Sequence, residues 1–201
     1  MMTAKQNITE AELRRALLRR LNATPASIVV EEFRIEHGAA RIDVARIDDR
    51  LCGYEIKSDF DGTARLFNQI HAYNRVFEEI YLVATAGLLP SLAGLIPSWW
   101  GILEAQRAES DAVVLREIRA VRLNHERDPV SILTLLRRDE LLWLATQCLS
   151  EPKRAARATR SGLYDMLASA LSVDEICKTV VAALKGRANL TLGVPLAQGG
   201  D

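Results

Sequence analysis

Residues 41–59 read Arg41-Ile-Asp43-Val-Ala-Arg-Ile47-Asp-Asp-Arg50-Leu51-Cys-Gly53-Tyr-Glu55-Ile-Lys57-Ser-Asp59. Two alternating runs, Arg41 to Ile47 and Leu51 to Lys57, flank Asp48-Asp49-Arg50, which is a plausible hairpin loop. Residues two apart on a strand share a face, so Glu55 and Lys57 project together while Tyr54 and Ile56 point the other way. With a three-residue loop Ile47 pairs with Leu51, and counting back along both strands sets Asp43 opposite Glu55. Two carboxylates and an ammonium then converge on one face. The plain alternative is a solvated cross-strand ion pair on a polar hairpin. Against it stand the neighbours Ile42, Val44, Ala45, Tyr54 and Ile56, which belong to a buried strand.

Working outward, Thr9 and Glu12 form a capping box, with Ile8 set to staple against Leu13. Leu13, Leu17, Leu18 and Leu21 make the apolar stripe of a first helix, flanked by Arg14, Arg15, Arg19 and Arg20. Ile28 to Ile35 reads as a strand, and His37 to Ala40 as a turn. From Gly62 to about Glu79 the period becomes helical. On that helix Arg65, Gln69 and Tyr73 recur every four residues and share one stripe. Glu32 can approach the same sheet edge. A buried strand, Ile80 to Ala84, and a short strand near Trp100 to Glu104 follow, separated by a segment punctuated by Pro90, Gly94 and Pro97. Asp111 to Leu123 reads as a last strand pair or a strand with an edge extension. The order helix, three strands, helix, strand defines an α/β core with a meander feeding a crossover.

After Pro129 the pattern is helical over Val130 to Arg137, Arg138 to Leu149, Thr159 to Leu171 and Val173 to Gly186. The expected organisation is an α/β core over 1–127, a helical region over 128–188 and a loose tail over 189–201.

The 201 residues carry 26 Lys and Arg against 26 Asp and Glu, with 49% hydrophobic and 5% aromatic residues. That balance excludes a disordered acidic chain, a collagen-like repeat and a basic nucleic-acid tail. Cys52, Cys148 and Cys177 lack CxxC spacing, so neither a disulfide framework nor a zinc knuckle is suggested, and a cytoplasmic setting is expected. Ile80 to Leu103 carries no charge, but its prolines and glycines interrupt any continuous helix, so no membrane span is expected. His37, His71 and His125 have no metal-ligand spacing. Trp99 and Trp100 end an apolar segment and read as core rather than as a base-stacking platform.

Asp43, then Glu55-Ile56-Lys57, then Gln69 with Tyr73, on these elements in this order, resemble the PD-(D/E)xK nuclease superfamily. Within it the chain looks like a poorly characterised bacterial group. The resemblance spans about residues 8–105 and implies a restriction-endonuclease-like α-β-β-β-α-β core with a mixed central sheet, followed here by an all-helical extension. Ile42 stands where the family's motif has proline, which removes no ligand. The resemblance implies a metal-dependent nuclease acting on DNA, with RNA left open. Asp43, Glu55 and the main-chain carbonyl of Ile56 would bind Mg²⁺ or Mn²⁺ through hard oxygen donors. Lys57 would assist the attacking water, Gln69 would support Lys57 or the phosphate, and Tyr73 would pack or hydrogen-bond beneath it. Arg65 and Tyr73 are supporting residues, and Glu32 is a second-tier metal ligand. Glu12 competes with Glu32, though its role as capping-box partner is the better reading. The alternative function is a catalytically silent module that keeps the fold for nucleic-acid or protein binding. Arg116, Arg119 and Arg122, and Lys153, Arg154, Arg157 and Arg160, are further basic clusters, each either a solvated helix face or a grip on phosphates. The C-terminal helices are candidates for a homodimer or partner-protein contact.

Overall fold

The computed structural model of the chain describes residues 7–23, 27–62, 66–150 and 152–192. Its elements are α1 (Glu10–Asn22), β1 (Ile28–Ile35), β2 (Ala40–Ile47), β3 (Leu51–Lys57), α2 (Leu66–Asn74), β4 (Glu79–Thr85), α3 (Leu89–Leu92), β5 (Gly101–Arg107), β6 (Val113–Arg119), α4 (Pro129–Leu133), α5 (Arg138–Cys148), α6 (Pro152–Arg157), α7 (Arg160–Ala170) and α8 (Val173–Leu192), with a 3-10 turn at Glu36–Gly38. The six strands form one mixed sheet in sequential order. β1, β2 and β3 are an antiparallel meander; β3, β4 and β5 run parallel; β6 closes the far edge antiparallel to β5. Parallel neighbours need a crossover, and α2 supplies the one between β3 and β4.

The expected register holds, with Ile47 against Leu51. Every residue of β3 is buried, as suits a central strand covered on both faces. Cys52, Tyr54 and Ile56 face α1, packing with Leu13, Leu17 and Leu21. The opposite face, with Leu51, Ile80, Leu82 and Ile102, packs beneath α2 and is continuous with Leu133, Leu144, Leu163 and Val180 of the later helices. Buried Arg127 fastens those helices to the sheet. Its guanidinium meets Asp174 on α8 at 2.8 Å and Glu78 at 3.4 Å, and its Nε donates to the Asn124 carbonyl at 2.8 Å.

The capping box at Thr9 and Glu12 is present and starts α1. Three other expectations change. Helical pattern continues to Glu79, yet α2 stops at Asn74, because Asn124 donates to the carbonyls of Asn74 and Phe77 and the Glu78 carboxylate takes the Leu51 amide. These bonds pull the chain out of the helix and into the sheet. The helix expected over Val130 to Arg137 is only α4, capped by Asp128 on the Ser131 amide, and α6 is an additional helix anchored by buried Ala155. α8 runs on to Leu192, into the stretch expected as a loose tail from Asn189; the rest of that stretch lies outside the described residues. Trp100 is fully buried and donates to Asn74 Oδ1 at 2.9 Å, as a core residue. Among the described residues no helix is long and apolar enough to cross a membrane.

Gly101 opens β5 directly against Tyr81, and a Cβ there would sit 2.3 Å from the ring. That ring is held by stacking on Tyr54 at 5.3 Å and by Glu117 at 3.2 Å. Gly101→Ala is therefore expected to destabilise the fold by about 1–3 kcal/mol through overpacking, read as a lower urea midpoint with an unchanged slope.

Candidate active site

The site is made by a fault in the sheet. The β2–β3 ladder ends at the Val44–Tyr54 rung, one residue short of Asp43. On its other side the β1–β2 ladder skips the rung between Glu32 and Asp43, where Glu32 has a φ of 55°. Regular alternation would put Ile42 and Val44 on one face. Instead Ile42 shares the α2-side core with Ala45, and Val44 packs with Tyr54 and Ile56 on the α1 side. Paired with Val83 on the β4 side but without a rung on the β2 side, Ile56 donates its amide to Asp43 Oδ2 at 2.7 Å. The carboxylate is thereby fixed at the opening between β2 and β3.

Glu55 and Lys57 lie side by side as alternation requires, with Lys57 Nζ 2.6 Å from Glu55 Oε1. From α2, Gln69 Oε1 accepts from Lys57 Nζ at 3.2 Å. Tyr73, one turn further along, sets its hydroxyl 2.9 Å from Glu55 Oε2 and 2.6 Å from the Arg41 carbonyl. One phenolic proton serves two acceptors, so both contacts are best satisfied when Glu55 carries a proton. Burial, and then the neighbouring Asp43, push the Glu55 carboxyl from 4.5 up to about 7, against the opposing pull of Lys57. Burial also raises the Asp43 carboxyl, while the Ile56 amide and Arg14 oppose the rise. Asp43, Glu55, Ile56, Lys57 and Gln69 line one cavity of about 360 Å³.

Two residues of α1 join the site without having been picked out as members. Arg14 donates to the Asp43 carbonyl at 3.1 Å and faces Asp43 Oδ1 at 3.4 Å, and Glu10, which pairs with Arg14 at 2.7 Å, lines the cavity. The i, i+4 spacing of Glu10 and Arg14 was visible, but only the packing of α1 on the sheet points the pair at Asp43. Arg41 also lines the cavity. Glu32 is placed elsewhere: its left-handed backbone turns it to Arg14 at 3.0 Å and Arg41 at 2.7 Å, outside the cavity lining. Glu12 stays with Thr9 and Arg107, in its capping role. Arg65 lies outside the described residues.

Among the described residues no three His, Cys, Asp or Glu side chains gather as a metal-binding group. The cavity carboxylates beside Lys57 are Asp43 and Glu55, and with a main-chain oxygen they form the donor set expected for a divalent cation. Its chemistry fits a hard cation, since buried Glu55 and half-buried Asp43 offer carboxylate oxygens to one cavity, and burial beside Asp43 raises the Glu55 carboxyl.

A raised carboxyl pKa means that the folded state holds a proton that the unfolded chain releases, so this group's contribution to stability falls as pH rises from about 4.5 through about 7. Glu55→Gln abolishes that dependence. Thermal melts in the absence of divalent metal should show the variant gaining on wild type as pH rises through this window, and a constant difference would refute the assignment.

The family described as Bacteriophage P4 protein cII matches residues 3–191. The chain is similar to Protein cII of Enterobacteria phage P4, 25% identical over 163 residues that cover 81% of this chain and 60% of that protein. It thus spans less than two thirds of that relative's length. Among solved structures it is similar to the SPO1766 protein of unknown function from Silicibacter pomeroyi, with 21% identity, a TM-score of 0.45, and coverage of 75% of this chain and 95% of the other. Since the family's match begins ahead of α1 and carries through the sheet into the last turns of α8, the chain belongs to the bacteriophage P4 protein cII family.

Proposed function

We propose that the chain is a divalent-metal-dependent nuclease of the PD-(D/E)xK type, with a restriction-endonuclease-like core, hydrolysing DNA phosphodiester bonds. The observation that carries this reading is the convergence of Asp43, Glu55, Lys57 and Gln69, drawn from three elements, on one cavity where β2 leaves β3. The order α1-β1-β2-β3-α2-β4, with parallel β3 and β4, supports it. Asp43, Glu55 and the Ile56 carbonyl are the proposed holders of Mg²⁺ or Mn²⁺. A divalent cation supplies charge neutralisation at the phosphate and lowers the pKa of water. The chain's own residues do the rest. Lys57 donates to the attacking water or to a non-bridging phosphate oxygen, and Gln69 fixes the direction of its ammonium. Tyr73 holds Glu55 from beneath. Water bonds to phosphorus and gives up a proton to solvent, the bond to the leaving oxygen breaks, and that oxygen takes up a proton from solvent.

One observation favours a second reading, a silent module kept for binding. Arg14 already engages Asp43 through both its carbonyl and its carboxylate, so a resident guanidinium supplies part of the charge a metal would bring.

The two readings part on metal titration. In the first, Mn²⁺ raises the melting temperature of wild type and not of Asp43→Ala, and Asp43→Ala and Lys57→Ala each lower cleavage of linear, nicked and single-stranded DNA by at least about 100-fold with circular dichroism unchanged. Full activity in either purified variant refutes the nuclease assignment. Nucleic-acid binding indifferent to both Mn²⁺ and Asp43→Ala, without cleavage, establishes the silent module.

A further inference from the structure

Net charge is zero, yet the positive charges are unevenly neutralised. Arg46, Arg50, Arg75, Arg107, Arg116 and Arg127 each face a carboxylate. Among the described residues several cations have no carboxylate within ion-pair reach, Arg15, Arg119, Arg122 and Lys178 among them, and Arg34, Lys153, Arg157 and Arg160 belong to this set. Arg34 is distant in sequence from the other three, and the fold links it to them through the turn between β1 and β2.

The connection can be followed contact by contact. Arg41 lines the catalytic cavity, and its cross-strand partner on β1 is Arg34. Like charges directly opposite on a sheet oppose pairing, and of these two arginines it is Arg41 that Glu32 answers. The Arg34 guanidinium lies over Gly38, in the turn between β1 and β2. In that turn His37 meets Tyr164 of α7, with ring centroids 6.2 Å apart. Arg160 donates to the Tyr164 hydroxyl at 2.6 Å, one turn back along α7. At the start of α7, a cleft of about 700 Å³ has Lys153 and Arg157, i and i+4 on α6, on its walls, together with Thr159 and Gly162. Asp165 is the acidic residue in this lining. Thr159 caps the Gly162 amide, so the positive end of the α7 dipole points into the same cleft.

We infer that Arg34, Arg160, Arg157 and Lys153 form a phosphate track leading from the catalytic cavity to the α6–α7 cleft, and that its ligand is the sugar-phosphate backbone of a nucleic acid. The inference rests on the nuclease reading for its substrate class, and deepens it by placing the flanking strand on the helical C-terminal half. Spaced single cations along a line, rather than a closed cage, suit a repeating polyanion better than one small anion. Beside its cations the cleft is lined by Ala158 and Met166, and its lining holds none of the Trp, Phe or Leu side chains that seat a helix in a membrane surface.

Binding of duplex DNA, single-stranded DNA and single-stranded RNA of equal length is measured by fluorescence anisotropy in chelator, where cleavage cannot intervene. Lys153→Glu/Arg157→Glu is compared with wild type, and with Arg15→Glu/Lys178→Glu, which reverses as many charges away from the track. The track predicts at least about tenfold weaker binding for the first double variant only, with a log–log salt slope shallower by about two. Milder Lys153→Gln/Arg157→Gln should fall between, with thermal melts like wild type. Equal loss in both double variants reduces the effect to net charge and overturns the track, as does no loss in either or no binding by wild type. Whichever nucleic acid loses most identifies the substrate form. Track-dependent binding by a protein that shows no metal-dependent cleavage would retain the track and dismiss the nuclease reading.

Discussion

A carboxylate 1% exposed to solvent sits in the middle strand of an apolar sheet, and much of this protein is arranged around it. Glu55 is flanked by Tyr54 and Ile56, covered by α2, and faced by a second carboxylate at the rim. Desolvating an ion at such a place costs several kcal/mol or more unless it is paired or neutralised. The chain answers with Lys57 on the same strand, Tyr73 from the crossover helix, and a carboxyl pKa displaced to about 7. Moving either helix or strand would leave that group without partners, which ties the position of α2 to the chemistry beneath it.

The opening beside Glu55 depends on a second local departure from regularity. Asp43 gives up its rung of the ladder, and its side chain takes over the amide of Ile56. The neighbouring kink at Glu32, in a left-handed conformation uncommon for a side-chain-bearing residue, lets both strands change alternation at the same level. Sheets without such a fault present alternating faces and no cavity at their centre. Here the fault yields a pocket into which Asp43, Glu55, Lys57 and Gln69 converge, with Glu10, Arg41 and Asp61 also in its lining.

The helical C-terminal half is not a separate appendage to this arrangement. Its apolar residues continue the core under α2, Arg127 crosses from β4 to α8, and Asn124 ends α2 at Asn74. The same packing carries α7 to the turn between β1 and β2, where the Tyr164 ring meets His37.

Much of this was legible in the residues themselves. The alternating runs about Asp48-Asp49-Arg50 set the pairing of Ile47 with Leu51, strand period placed Glu55 beside Lys57, and helical period placed Gln69 and Tyr73 on one stripe. Thr9 and Glu12 announced the start of α1. Each of these follows from steric periods and short hydrogen bonds among residues close along the chain, which a sequence records directly. Tertiary structure alone decided that Arg14 and Glu10 belong to the site, that Glu32 turns away from it, that Asn124 ends α2 fifty residues earlier, and that α7 meets the turn between β1 and β2. Those outcomes depend on which faces pack together and on buried polar groups finding partners far along the chain. No local period encodes either.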